Sequence, residues 1–160
     1  MDEILGGVSD TVEEKRLELV TDLAEVSAAT EPVRFRQIVG NIVNNAVAYT
    51  PAGGRITVTL AGRDRTAALV VTDTGPGIAE DERAHVFRRF FRGASSGQAG
   101  SGIGLAVAAE LVAAHGGDIS VDSEPGWGSR FVVRLPVDGP EGSVPAFIGS
   151  SQARPTVDRD

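Results

Sequence analysis

The stretch Asp73-Thr74-Gly75-Pro76-Gly77-Ile78 is the most informative part of this 160-residue chain. It follows residues 67–72, an apolar run that predicts a buried β-strand, and it continues into a loop. An Asp at a strand end can accept a hydrogen bond from an exocyclic amine, such as N6 of adenine. Gly75 and Gly77 allow positive φ angles and a close backbone approach to a flat ring. A D-x-G-x-G string also occurs in many ordinary turns, so its meaning depends on the motifs around it.

Three further motifs accompany this stretch in a fixed order along the chain. The first, NIVNNA at residues 41–46, lies upstream, inside a segment whose pattern predicts a helix from about Val33 to Tyr49. The second, FRRFFR at residues 87–92, lies downstream and is a cluster of phenylalanines and arginines. The last motif is residues 100–105, GSGIGL, at the start of a second predicted helix. Four such motifs in this order rarely arise by chance.

Together the four motifs resemble the N, G1, F and G2 boxes of the catalytic ATP-binding domain of bacterial sensor histidine kinases. The resemblance covers about residues 31–136. It implies a Bergerat-type α/β two-layer sandwich, in which a mixed, mostly antiparallel sheet packs on about three helices. It also implies a domain of a two-component system that binds ATP with Mg²⁺. Such a domain donates the γ-phosphate to a histidine on a separate dimerisation and phosphoacceptor domain, for onward transfer to a response-regulator aspartate.

The hydrophobic pattern independently predicts mixed strands and helices with antiparallel hairpins, which favours a two-layer sandwich over a doubly wound sheet. Strands are predicted at residues 16–23, 56–60, 67–72, 119–123 and 130–135, and helices at 33–49, 79–91 and 103–115. Thr30 is the predicted capping residue of the first of these helices.

The chain divides into three predicted segments. Residues 16–137 form the ATP-binding catalytic domain, and residues 1–15 are interpreted as the remnant of a preceding helix or linker. Residues 138–160 are rich in Gly, Pro, Ser and charged residues, which predicts a disordered C-terminal tail.

Composition excludes several classes of function. A net charge of −7 argues against a nucleic-acid partner, which would need a basic face. The absence of cysteine excludes disulfides, zinc–thiolate sites and thiol nucleophiles. Neither a P-loop lysine motif nor a Rossmann fingerprint occurs, so a nucleotide must be held in another way.

The expected location follows from the apolar runs and from the resemblance. No apolar run reaches the roughly 18 residues of a membrane span, so this fragment is expected to be cytoplasmic. The resemblance implies a membrane-anchored, homodimeric parent protein and a fragment that is monomeric alone.

Asn41 and Asn45 lie four residues apart and share one face of the predicted helix. Asn is disfavoured inside helices because its side chain competes for backbone hydrogen bonds, so this stripe is either a polar outer face or a ligand site. Amide oxygens suit Mg²⁺, a hard cation. In the resembling family, the Asn at the position of Asn45 binds this metal between the phosphates.

The position of Asn41 separates phosphotransfer from hydrolysis. In gyrase-type ATPases of the same fold, this position carries a Glu that acts as general base on water. Asn is a poor base, so Asn41 favours transfer of phosphate to another nucleophile. Serine kinases of the anti-sigma-factor type also tend to have the Glu and lack the Phe/Arg box, which argues against that family.

Two alternatives to a histidine kinase domain remain open at this point. Ala48 stands where the family usually has a phosphate-directed Lys, which favours a nucleotide-binding pseudokinase module. Asn45, Asp73 and the glycines are intact, which opposes it. The second alternative is an ATP hydrolase of the same superfamily, and Asn41 opposes that one.

Arginines and a helix N-terminus supply the expected phosphate contacts. Arg89 or Arg92 could reach the triphosphate, since guanidinium pairs well with phosphate oxygens; the alternative is a solvated basic turn. The glycine-rich turn that opens the helix from Ile103 offers free N–H groups and a favourable dipole to anions. Tyr49 either stacks on adenine or packs at the edge of the hydrophobic core. The resemblance implies that Ser129 helps to hold a water between Asp73 and adenine.

The expected site is therefore defined residue by residue. The catalytic residues are Asn41, Asn45, Arg89 and Arg92, with Asn45 as the metal ligand. The groups expected at the nucleotide are Asn41, Asn45, Tyr49, Asp73, Gly75, Gly77, Ile78, Arg92, Gly100, Ser101, Gly102, Ile103, Gly104, Leu105 and Ser129.

The two histidines are not predicted to accept phosphate. In the resembling family the acceptor lies in a His-Glu/Asp-x-Arg-Thr-Pro-like segment of a separate helical hairpin. Neither His85 nor His115 has this context, and His115 has the position of a residue at a helix C-terminus. The acceptor is therefore expected outside this chain.

Overall fold

The computed structural model describes residues 6–28, 30–93, 101–138 and 146–148. The helices are α1 (Ser9–Glu14), α2 (Pro32–Tyr49), α3 (Glu80–Arg83) and α4 (Gly104–Ala114). The strands are β1 (Glu18–Leu23), β2 (Val26–Ala28), β3 (Arg55–Arg63), β4 (Thr66–Asp73), β5 (Asp118–Glu124), β6 (Gly128–Pro136) and β7 (Ala146–Ile148). Within these ranges no helix has the length and apolar character needed to cross a membrane.

The main sheet has five strands in the order β1-β3-β4-β6-β5. The β1–β3 pair is parallel and the other three pairs are antiparallel, which confirms the predicted mixed, mostly antiparallel sheet. Helices α2 and α4 pack against each other and against one face of this sheet. The core between the layers is largely aliphatic, with Phe131 on β6 and Phe35 on α2 as its buried aromatic residues.

The register of β4 fixes the position of Asp73. Strand β4 follows β3 through a turn in which Asp64 and Arg65 both have positive φ, at 49° and 62°. Such a two-residue turn matches the twist of the flanking strands and so fixes their pairing. The resulting ladder places Asp73 opposite Ser129 on β6. Two residues that are distant in sequence therefore meet at one end of the sheet.

The start of α2 differs from the prediction. The helix begins at Pro32 with Glu31 as its N-cap residue, and no side chain caps it. The Thr30 hydroxyl is buried and has no hydrogen-bond partner among the described residues, so its predicted capping role is wrong. Pro32 at the first helical position has no N–H, so this helix start has one fewer unsatisfied donor.

Residues near both ends of the chain also pack in ways that the sequence did not predict. Val8 is 6% exposed and Val12 packs against the core, so the segment around α1 is part of the packed domain. Residues 146–148, inside the predicted disordered tail, form β7, which pairs antiparallel with β2. Of the predicted helix at 79–91, only Glu80–Arg83 is α-helical, and turns follow it.

Candidate functional site

A cavity of about 300 Å³ lies between α2, the N-terminus of α4, the loop after β4 and residues 86–93. Its volume is at the lower end of the range for small-molecule sites. Members of all four sequence motifs line it. The lining residues are Asn41, Asn44, Asn45, Ala48, Tyr49, Asp73, Pro76, Gly77, Ile78, Glu82, Val86, Phe91, Arg92, Gly93, Ser101, Gly102, Gly104, Leu105 and Ser129.

Asp73, the last residue of β4, is a buried carboxylate that faces this cavity. The residue is only 4% exposed, and Oδ1 accepts a hydrogen bond of 2.8 Å from the Gly75 N–H. Burial raises the pKa of Asp73, while hydrogen bonds from the backbone N–H groups of Gly75 and Ser129 lower it in part. Burial has the larger effect, so a donor that entered the cavity would relieve an incompletely solvated charge.

Beside the predicted Ser129 lies a second serine, Ser123, that the sequence did not predict. Ser123 Oγ donates to the Gly128 carbonyl at 2.7 Å and accepts from the Ile78 N–H at 2.8 Å. It also lies 3.1 Å from Ser129 Oγ. Because a hydroxyl has a single proton, Ser129 is the donor in this pair, which leaves the lone pairs of Ser129 for the cavity. The available signal was that Ser123 follows Ile119 and Val121 on the inward face of β5.

Two glycines allow the loop after β4 to pack closely. Gly77 has a φ of 74°, and a Cβ there would collide with the carbonyl of Glu124. Gly75 is buried behind Asp73 and does not line the cavity, contrary to expectation. A Cβ on Gly75 would lie 2.8 Å from Asp73 Oδ1, so glycine at this position lets the loop backbone reach the carboxylate.

Helix α2 turns its amide side chains towards the cavity. Asn41 and Asn45 are half-buried and line it, as does Asn44. Asn41 and Asn45 therefore face the cavity and do not form a purely solvent-exposed polar face of the helix. Asn41 lies close to the start of α4, since a Cβ added to Gly104 would stand 3.7 Å from Asn41 Oδ1.

The N-terminus of α4 opens into the cavity. Ile103 is the N-cap residue and no side chain caps the helix, so its first N–H groups lack an intrahelical partner. Ser101, Gly102, Gly104 and Leu105 line the cavity, whereas Ile103 does not. Gly100 lies outside the described residues. A helix start of this kind offers N–H donors and a positive dipole end to an anion.

The structure separates the two candidate arginines. Arg92 lines the cavity. Arg89 instead donates two hydrogen bonds to Glu110 on α4, at 2.8 and 2.7 Å, and does not line the cavity. Phe87 packs edge-on against Phe131 at 6.2 Å between ring centroids, which anchors the start of this segment on the core.

Several lining residues were not predicted. They line the cavity because of the course that the chain takes after β4. They are Pro76, Glu82, Val86, Phe91 and Gly93. Residues 84–90 run in turns, and Phe90 has a φ of 63°. The helical spacing predicted for this segment therefore does not identify the side chains that line the cavity.

The donor set of the cavity fits a magnesium–phosphate group. Among the described residues, no three His, Cys, Asp or Glu side chains form a metal cluster. The amide oxygen of Asn41 lies near the start of α4, and Asn45 lines the same cavity. Mg²⁺ typically takes one or two protein ligands and completes its shell with water and substrate phosphates. This chemistry matches an amide ligand beside an anion-binding helix terminus.

Comparison with known proteins identifies the family. Residues 30–139 match the model of the histidine kinase-, DNA gyrase B- and HSP90-like ATPase family. The chain belongs to this family. It is 38% identical over 142 residues to the sensor histidine kinase RppB of Synechocystis, a match that covers 81% of this chain and 31% of RppB. It is 41% identical over 141 residues to the adaptive-response sensory kinase SasA of Microcystis aeruginosa, covering 84% of this chain and 36% of SasA.

Solved structures agree with this assignment. The mycobacterial sensor histidine kinase MprB superposes with a TM-score of 0.73 at 33% identity, covering 87% of this chain and 97% of that one. Full-length ShkA, solved in complex with AMPPNP, gives a TM-score of 0.71 at 32% identity, covering 87% of this chain and 29% of that one. The resemblance to histidine kinase catalytic domains and the predicted α/β fold are thus confirmed. The chain spans about a third of the length of these two curated relatives.

Proposed function

We propose that this ATPase-family domain binds Mg-ATP in the cavity and donates the γ-phosphate to a histidine on a separate dimerisation and phosphoacceptor domain. The parent protein then passes the phosphate to an aspartate of a response regulator. One arrangement supports this proposal above all: a buried carboxylate, amide ligands and an uncapped helix N-terminus face the same cavity.

Each part of the cavity has a distinct role in this proposal. Asp73 accepts a hydrogen bond from N6 of adenine, and Ser129 holds a water beside it. Tyr49 lies on the wall where it can pack on the base. The start of α4 and Arg92 receive the phosphates, and Asn45 is the protein ligand of Mg²⁺, which neutralises phosphate charge when bound. Catalysis then consists of positioning and charge neutralisation, as in phosphoryl transfer generally.

Two observations bear on the alternatives. Asn41, on α2, lies beside the start of α4, where a hydrolase would need a general base, and an amide cannot serve as one. The pseudokinase alternative rests on Ala48, which lines the cavity without a charge. The binding half of the proposal is tested by titrating the chain with ATP and GTP, with and without Mg²⁺. Tight, Mg²⁺-dependent and adenine-selective binding is expected, and no binding of ATP would overturn the proposal.

Asn45→Ala is expected to remove the Mg²⁺-dependent part of ATP affinity while the fold stays intact. The amide oxygen is the proposed metal ligand, and α2 tolerates Ala well. Isothermal titration with and without Mg²⁺ measures the effect, and circular dichroism checks the fold. Val33→Ala, a 64% exposed position on the same helix, serves as control. An Mg²⁺ dependence that survives Asn45→Ala unchanged would remove Asn45 as the ligand.

The chain alone is expected not to become stably phosphorylated on His85 or His115. His115 Nδ1 lies 2.6 Å from the Leu111 carbonyl at the end of α4, and His85 Nδ1 is buried. Incubation with Mg-ATP followed by intact-mass measurement at alkaline pH, where phosphohistidine survives, tests this. Acid-labile phosphate at stoichiometric yield would show that the acceptor lies within this chain.

A further inference from the structure

The C-terminal end of α2 is capped by a residue from elsewhere in the chain. Every α-helix leaves its last four carbonyls without intrahelical partners. The Ala46 carbonyl accepts from the Thr50 N–H at 2.9 Å and from Thr50 Oγ1 at 2.6 Å. Lys15 Nζ donates to the carbonyls of Val47, Ala48 and Thr50, at 2.8, 2.9 and 3.1 Å. All three protons of the ammonium are therefore used at this helix end.

Thr50 serves only the Ala46 carbonyl, and within the described part of the chain Lys15 serves those of Val47 and Ala48. Thr50 is extended, with φ of −72° and ψ of 124°, and Pro51 follows it. A helix that ends in this way lacks the glycine in left-handed conformation that commonly satisfies the last carbonyls. The positive charge of Lys15 also lies at the negative end of the helix dipole. The last turn of α2 therefore depends on Lys15.

Lys15 is at the same time the C-cap residue of α1. Its carbonyl accepts from the Gly53 N–H at 2.9 Å, just after α2 ends. Val8, before α1, is buried at 6% exposure, so α1 docks on the core as well. Through its backbone and its side chain, a single residue joins the end of α1 to the end of α2.

The turn that Lys15 holds is part of the cavity wall. Ala48, whose carbonyl receives one of the ammonium protons, lines the cavity. Tyr49 and Asn45 line it from the same end of α2. Loss of the cap frees the carbonyls of Val47 and Ala48 in the last turn of α2, and that of Thr50 just after it. This turn must keep its shape to hold a nucleotide in the proposed site.

We propose that Lys15 is a positioning residue that couples the docking of α1 to nucleotide binding, an inference that rests on the proposed function. With α1 docked, Lys15 holds the last turn of α2 in the form that lines the cavity. Coupling between two sites is reciprocal, so a bound nucleotide must also stabilise the docked state of α1. This role differs from that of the family's usual phosphate-directed Lys, because Lys15 points to backbone carbonyls.

The test is a double-mutant cycle on Mg-ATP affinity, with folding of each variant verified by circular dichroism. Lys15→Met is expected to weaken binding by about fivefold or more, the lower end of coupling between sites. Arg63→Met removes the same charge from a 91% exposed side chain and is expected to leave affinity unchanged. Val8→Ala, which loosens α1, is expected to weaken binding in the native background but to add nothing to Lys15→Met.

Hydrogen exchange on the native chain tests the coupling without any variant. Mg-ATP is expected to slow exchange of the Val12, Lys15 and Leu17 amides, which hydrogen-bond within the α1 segment. Three results would each overturn the coupling and leave the proposed function intact. They are native Mg-ATP affinity in a folded Lys15→Met variant, additive effects of Lys15→Met and Val8→Ala on affinity, and hydrogen exchange in α1 that Mg-ATP does not change. Failure of the native chain to bind Mg-ATP would overturn the proposed function, and this inference with it.

Discussion

Asp73→Asn is expected to weaken ATP binding by about 1.5–3 kcal/mol, the range for a hydrogen bond to a charged group, or roughly 10- to 150-fold. The Asn side chain has nearly the same shape, and its oxygen can still accept from the Gly75 N–H. The contact expected to be lost is the proposed one between the ionised carboxylate and the exocyclic amine of adenine. Titration of both proteins with Mg-ATP measures the change.

Two comparisons make this result specific. Asp118→Asn removes an equal charge from an exposed side chain that pairs with Arg134, and it is expected to leave ATP affinity unchanged. GTP is expected to bind the native chain poorly, because its O6 would face the Asp73 carboxylate, and two acceptors repel. Equal affinities for ATP and GTP would contradict an adenine-binding role for Asp73.

The same substitution is expected to stabilise the nucleotide-free domain at neutral pH. Burial raises the pKa of Asp73 in the folded state above its value in the unfolded chain. The folded state therefore binds the proton more tightly, and this stability is present below the ordinary Asp range and lost as pH rises through the raised pKa. Asn carries no charge at any pH. Thermal unfolding should show a higher Tm for Asp73→Asn at pH 7, with a difference that shrinks in acid.

The second large effect concerns hydrolysis. Asn41→Glu is expected to raise a feeble native ATPase rate, because a carboxylate near the metal and phosphates can take a proton from an attacking water. General-base assistance is typically worth about 10²–10⁴ in rate. Asn41 lies beside the first residue of α4, so the dipole would lower the basicity of the new carboxylate and limit the gain. ATP affinity should stay within a few fold.

Steady-state phosphate release at saturating Mg-ATP measures both proteins. Asn41→Gln, which lengthens the side chain without adding a base, is the matched control and should release phosphate no faster than the native chain. Brisk turnover by the native chain would place it with the hydrolases. A rate increase in Asn41→Gln equal to that in Asn41→Glu would show that side-chain size and not basicity is responsible.

The site residues whose positions depend on the pattern of a single strand or helix could be predicted from the sequence. Asp73 stands at the end of a recognisable strand, Asn41 and Asn45 share a helix face, and Gly102 and Gly104 open a helix. In each case a pattern within one strand, helix or helix start predicts the position of the residue. The structure brings all five to one cavity.

The parts that depend on strand register or on irregular backbone were not predictable. Ser123 reaches Ser129 only because β5 and β6 pair in one register. Arg89 and Arg92 are alike in sequence, but turns and the positive φ of Phe90 direct them to different surroundings. Lys15 caps the end of a helix that lies more than 30 residues away in sequence, and no local sequence pattern predicts such a contact.

The most direct test of the central claim is phosphotransfer in trans. The chain is incubated with γ-labelled Mg-ATP and the dimerisation and phosphoacceptor domain proposed for its parent protein. The products are examined for alkali-stable, acid-labile label. The account predicts label on the acceptor histidine, none on this chain, loss of transfer with Asp73→Asn at low ATP, and little free phosphate. Binding of ATP without any transfer to the acceptor, or release of most of the label as free phosphate, would contradict it.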